Sequence, residues 1–209
     1  GIATVITNWS GGFLLPALML IMVTSLILGM GMPCTPAYIV AITIGGPALV
    51  ALGVNLLPAH LFVFFFSILA EVTPPVCIPA YCAASIAGAK PLQTGFEAFK
   101  MAIVAFTIPY IFVFNQALLF KGGVIETVSL LLVILIFVVF LSAAVTGYFI
   151  KHISLLMRAV MLLAAAAGVV LCTHRELVAL PSTFVAAVLV TLAFLAWVYL
   201  RKPRQSPAA

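Results

Sequence analysis

The sequence has 209 residues, of which 66% are hydrophobic and 6% charged, with a mean hydropathy of +1.39 and a formal net charge of +5. Soluble domains carry about 25% charged residues, so the composition excludes a soluble protein and indicates an integral membrane one. The apolar stretches have helix length, which excludes the ~10-residue alternating strands of an outer-membrane barrel, and the basic residues form no stripe suited to nucleic acid.

No charged residue precedes Glu71. The sequence opens on Gly1 rather than Met and reads as part of a longer protein. No basic region precedes the first apolar run, so no signal peptide is expected. That run, Gly12 to Leu28, stops at GMGMPCTP, Gly29 to Pro36. A second run, Ala37 to Val54, holds Gly45-Gly46-Pro47, which is expected to interrupt it. Neither is a comfortable ~20-residue span. A third run, His60 to Val72, stops at TPPV, Thr73 to Val76, and resumes as Cys77 to Ala89.

Next comes KPLQTGFEAFK, in which Leu92, Phe96 and Phe99 share one helical face and Gln93, Glu97 and Lys100 another. This predicts a short amphipathic helix in the membrane interface; Gly95 leaves a plain loop as the alternative. Met101 to Leu119 reads as a span kinked at Pro109, and Val128 to Ile150 as an uninterrupted one. Ala159 to Cys172 is short but can borrow Leu155 to Met157; Leu180 to Leu200 is a clear span, and RKPRQSPAA is a polar tail. The expected fold is therefore an all-α integral membrane protein. A re-entrant helical hairpin (residues 12–54) precedes a broken transmembrane helix (60–89). An interfacial segment (90–100) and a transmembrane helix (101–119) follow, then three more helices (128–200) and a tail (201–209).

Loop charges set the orientation. Lys90, Lys100 and Glu97 sum to +1; Lys121 cancels Glu126; Lys151 and Arg158 give +2; Arg175 cancels Glu176; Arg201, Lys202 and Arg204 give +3. Basic and neutral loops alternate, and the positive-inside rule places the basic ones and the C-terminus in the cytoplasm. Trp9, Trp197 and Tyr199 fit interfacial anchors. On this topology the first two runs form a hairpin open to the outside, with GMGMPCTP near mid-membrane; two complete spans are the alternative. The cysteines, Cys34, Cys77, Cys82 and Cys172, form no CxxC pair, so they read as small packing residues rather than zinc ligands.

Both breaks contain Thr-Pro: Thr35-Pro36 and Thr73-Pro74. Threonine is a good helix N-cap, and proline suits the first helical position because it has no N–H to leave unpaired. Each break is therefore expected to end one half-helix in carbonyls and start another in amides. Unpaired backbone at membrane depth is tolerated only inside protein or beside a cavity, and paired broken helices mark secondary-transporter sites. The candidate ion and substrate residues are Gly29, Gly31, Met32, Pro33, Thr35, Pro36, Glu71, Thr73, Pro74, Pro75 and Val76. A Na⁺ ion would use Gly29, Gly31, Thr35 and Thr73. The amides after Thr35 would face an anion.

Glu71 is the only acidic residue within an expected span, so it is a candidate for binding a proton or cation or for supporting the break. His60 reads as interfacial rather than as a ligand. Asn115 and Gln116 are expected to bond between helices. An intramembrane enzyme would need a Ser–Lys, paired-Asp or His–Glu arrangement in the spans, and none is present. A structural or assembly subunit remains the alternative to a transporter.

The stretches GMGMPCTPAYIV, GPALVALGV and AHLFVFFFSILAEVTPPVCIPAYCAASIAGAKPLQTGFEAFK resemble the large membrane subunit of tripartite ATP-independent periplasmic (TRAP) transporters. The resemblance spans about Leu18 to Phe120 and is closest to fused permeases that work with TAXI-type binding proteins. It implies an elevator-type permease of the bacterial inner membrane. A periplasmic solute-binding protein would deliver an organic anion such as a carboxylate, and a Na⁺ or proton gradient would drive uptake without a further cofactor. It also implies that this sequence is the second of two inverted repeats, the N-terminal half of the permease being a partner outside it. Gly29 to Pro36 would be the hairpin tip and Thr73 to Val76 the turn of the broken helix, together forming one cation site and part of the substrate site. Cys34 stands where the family often has threonine or another small polar residue.

Overall fold

The computed structural model describes residues 2–149, 151–152, 154–173 and Leu189. The predicted span Leu180 to Leu200, the tail, and Arg175, Glu176, Trp197 and Tyr199 lie outside the described residues. The chain divides into two compact units, Gly1–Val113 and Phe114–Ala209. Its described part is α-helical, apart from one two-rung antiparallel pairing of Tyr148–Phe149 (β1) with Lys151–His152 (β2). Three runs among the described residues are long and apolar enough to cross a membrane: Cys34–Ala51, Pro91–Phe114 and Val124–Thr146. The all-α membrane class follows.

The first unit starts with a short helix, α1 (Ile2–Trp9), which ends on an exposed Trp9. Then α2 (Leu14–Gly29) and α3 (Cys34–Ala51) form a helical hairpin, and α4 (Leu56–Leu69) packs against both. The expected interruption at Gly45-Gly46-Pro47 does not occur. Pro47 lies inside α3, as proline does in membrane helices whose neighbours support the backbone. Gly45 serves the packing instead: a Cβ there would meet Ile21 Cγ2 of α2 at 2.8 Å. Apolar lipid provides little drive for helices to associate, so close contact between small residues and shaped side chains carries the association. Gly45→Leu is expected to destabilise the unit by about 1–3 kcal/mol through overpacking. Thermal unfolding of the purified protein checks this, and adding Ile21→Ala should recover part of the loss.

The loop Leu52 to Asn55 turns on Gly53, and α4 starts at Leu56, earlier than the expected His60. Pro58 sits in the first turn of α4, where its missing N–H has no partner to lose. His60 is half-buried and bonded to α3: Tyr38 Oη and His60 Nδ1 lie 2.6 Å apart. Phe64 meets the Tyr38 ring edge-on at 5.5 Å. The core of the unit gathers Phe62 and Phe66 of α4, both fully buried and edge-to-face at 4.8 Å. Tyr110 meets Phe62 at 5.2 Å and sends its hydroxyl to Met22 Sδ at 3.1 Å.

After α4, a 3-10 turn (Ala70–Val72) and an irregular stretch lead to α5 (Ile78–Ala87). The segment left between helix and loop is helical: α6 spans Pro91–Ala102 and runs through a 3-10 segment (Ile103–Phe106) into α7 (Ile108–Phe114). The expected kink at Pro109 appears earlier, across Ile103 to Thr107. Pro109 has no N–H for the Ala105 carbonyl one turn before it, and one residue earlier the Val104 carbonyl accepts both the N–H (3.3 Å) and the hydroxyl (2.6 Å) of Thr107.

In the second unit, a 3-10 turn (Gln116–Leu119) leads to α8 (Val124–Thr146) and α9 (Leu155–Thr173). Asn115 is fully buried; its Oδ1 accepts from Ala117 N–H at 3.1 Å and its Nδ2 donates to the Cys172 carbonyl of α9 at 3.2 Å. Arg158 of α9 donates Nε to the Ala144 carbonyl at 2.9 Å and Nη2 to Val145 at 3.3 Å. A cation is favourable at the carbonyl end of a helix, so Arg158 ties the end of α8 to α9.

Candidate functional site

The hairpin tip is Met30 to Pro33. Met30 leaves the helix in extended geometry, with its N–H still on the Ile27 carbonyl at 3.3 Å. Gly31 then takes φ +84°, a left-handed conformation that glycine adopts without steric penalty. The returning helix does not begin as expected. Pro33 is the N-cap residue, Cys34 the first helical residue, and Thr35 and Pro36 lie within the first turn. Pro33 offers no side-chain acceptor, so the amides of Cys34 and Thr35 have no side-chain cap, and Pro36 has no amide at all. The amides offered by this half-helix therefore lie at Cys34 and Thr35, not after Thr35. Gly31, Pro33, Thr35 and Pro36 are exposed in the described chain, and Met32 is half-buried.

The second break also departs from the expected Thr-Pro start. Thr73 closes the helix before it: its hydroxyl donates to the Leu69 carbonyl at 2.7 Å and its N–H to Ala70 at 3.2 Å. The next helix starts five residues later at Ile78, with Cys77 in left-handed geometry at its N-cap and Pro79 in its first turn. The physical reason is competition. A threonine hydroxyl can donate to a carbonyl one turn back as readily as it can accept from an amide ahead, and after Thr73 two prolines supply no amide. Val76 N–H reaches the Thr73 carbonyl at 3.3 Å. Glu71, Thr73, Pro74 and Val76 are half-buried, and Pro75 is exposed.

The two breaks meet. Gly29, the last residue of α2, is buried against the end of α4: a Cβ on Gly29 would lie 2.5 Å from Ala70 Cβ and 3.2 Å from the Ser67 carbonyl oxygen. Ala70 immediately precedes Glu71. The carbonyl ends of α2 and α4 thus converge, each equivalent to roughly −0.5 of a charge, with the Glu71 carboxyl on the adjoining turn. No hydrogen bond joins Thr35 to Thr73 among the described residues. Sequence reading did not find Ser67, Ala70, Cys77, Tyr81 or Gly95. Its one available signal was Gly95, a small residue at a helix contact.

A helical membrane chain in which a hairpin tip abuts a broken helix has the build of a secondary transporter. Residues 1–127 match the family model described as "Tripartite ATP-independent periplasmic transporter, DctM component", and the chain belongs to that family. No curated protein and no solved structure was found to match it.

Proposed function

We propose that this chain supplies one ion and substrate half-site of a TRAP-type permease of the bacterial inner membrane. It takes up an organic anion, a carboxylate, delivered by a periplasmic binding protein and driven by inward Na⁺. The supporting observation is the junction of Gly29 with Ala70, where the C-terminal ends of two helices meet and Glu71 is the next residue along the chain. Hard cations take oxygen ligands, and such an end favours positive charge. The amides of Cys34 and Thr35 at the start of α3 suit a carboxylate. On this reading the arms α2 and α3 form the re-entrant hairpin. At 16 residues α2 measures about 24 Å, short of the roughly 30 Å hydrocarbon core. The basic loops face the cytoplasm. A second reading, proton coupling through Glu71, is favoured by the half-buried position of this residue, next in sequence to Ala70 of the junction.

The test is uptake by the complete permease in proteoliposomes, using the carboxylate that its own binding protein carries. An imposed Na⁺ gradient should drive accumulation in the presence of the binding protein. Uptake driven by a pH gradient alone, and lost in Glu71→Gln, would replace Na⁺ with the proton. No uptake under either gradient would reject the transport reading.

A further inference from the structure

Helix α5 and the amphipathic helix α6 hold the second break from behind. Tyr81 Oη donates to the Pro75 carbonyl at 2.7 Å. Cys77 Sγ donates to the Val72 carbonyl at 3.0 Å, and the Gly95 carbonyl of α6 lies 3.7 Å from the same sulfur. The carbonyl of one residue and the N–H of the next share a rigid plane. The Val72–Thr73 plane is therefore fixed at both edges, by Cys77 at its oxygen and by the Thr73 N–H bond to Ala70. The Pro75–Val76 plane is fixed likewise, by Tyr81 at its oxygen and by the Val76 N–H bond to Thr73. The Pro74 carbonyl lies between these two planes and the Glu71 carbonyl on the plane just before the first; neither takes any of these bonds, and each adjoins a fixed plane. The buttress is tight. Gly95 is buried, and a Cβ there would lie 2.9 Å from Tyr81 Cε1 and 3.3 Å from Cys77 Cβ.

We propose that Tyr81 and Cys77 are positioning residues for the cation site, each fixing one peptide plane of the Thr73–Val76 turn, with α6 docked at Gly95 to keep them in place. Neither touches the ion; each acts through the carbonyls it orients. This inference rests on the Na⁺ reading of the site.

The test uses Na⁺ alone, as a stabilising ligand of the purified complete permease. Unfolding temperature is followed against NaCl, with KCl holding ionic strength constant. Tyr81→Phe keeps the ring against Gly95 and removes only the hydroxyl. It should raise the half-saturating Na⁺ concentration by about fivefold, the size expected for one hydrogen bond. Cys77→Ala should act in the same direction, whereas Cys77→Ser, which retains a donor, should titrate close to the wild type. A merely structural role would lower the unfolding temperature without Na⁺ and leave the half-saturating concentration unmoved, and that result overturns the proposal. A wild-type protein whose unfolding ignores Na⁺ overturns the Na⁺ site itself, and the positioning role with it.

Discussion

Gly29→Val is expected to lower gradient-driven uptake by about 100-fold while the permease still reaches the membrane, since a displacement of ~1 Å at a pre-organised site is enough for such a loss. The prediction follows from what surrounds Gly29. The nearest atoms to a new Cβ are Ala70 Cβ, and the carbonyl oxygen and Cα of Ser67. None is the flexible end of a side chain, so relief requires movement of a helix. Moving α2 away from α4 separates the two carbonyl ends that form the proposed cation site. Uptake assays normalised to permease abundance check the prediction; wild-type uptake by Gly29→Val would mean that the contact has no part in transport.

Thr73→Val should reduce Na⁺-driven uptake by about tenfold, and Thr73→Ser should preserve most of it. Valine matches threonine in shape but lacks the hydroxyl that bonds the Leu69 carbonyl at 2.7 Å. Losing that donor leaves a carbonyl unpaired in a half-buried place, a penalty of about 1–3 kcal/mol, and frees the end of α4 to rewind. Serine keeps the donor. The contrast separates the hydroxyl from side-chain bulk. Thr35→Val provides the control for threonine in general: Thr35 is exposed and caps no helix, so its substitution should leave the unfolding temperature unchanged.

The positions of both breaks were legible in the sequence because glycine and proline act locally. Gly31, at φ +84°, and the Pro74-Pro75 pair, which supplies no amides, both fall where the helix stops. The direction of each threonine was not legible. Thr73 turned back to Leu69 and Thr35 capped nothing, because a hydroxyl's partner depends on which backbone groups the fold leaves free. Gly45-Gly46-Pro47 looked like a third break by the same local logic. It is continuous helix because α2 packs on Gly45, a contact set by Ile21, 24 positions away. Gly95 shows the same limit in reverse. It lowers helix propensity, yet it is the point where α6 meets Cys77 and Tyr81. The sequence motifs located the two breaks, and the tertiary contacts determined which backbone atoms around them are bonded.

On the proposed reading, the contact of Gly29 at the hairpin tip with Ala70 of the broken helix is part of the transport site. An exchange of the two contacting residues tests it most directly. Gly29→Ala places a methyl 2.5 Å from that of Ala70, and Ala70→Gly removes the opposing methyl at a helix-propensity penalty of about 1 kcal/mol. Uptake of the carboxylate is measured for both single variants and the double variant under the same Na⁺ gradient. The expected result is severe loss in Gly29→Ala and substantial recovery when Ala70→Gly is added. Full activity of Gly29→Ala alone, or a double variant as inactive as Gly29→Ala, would contradict the claim.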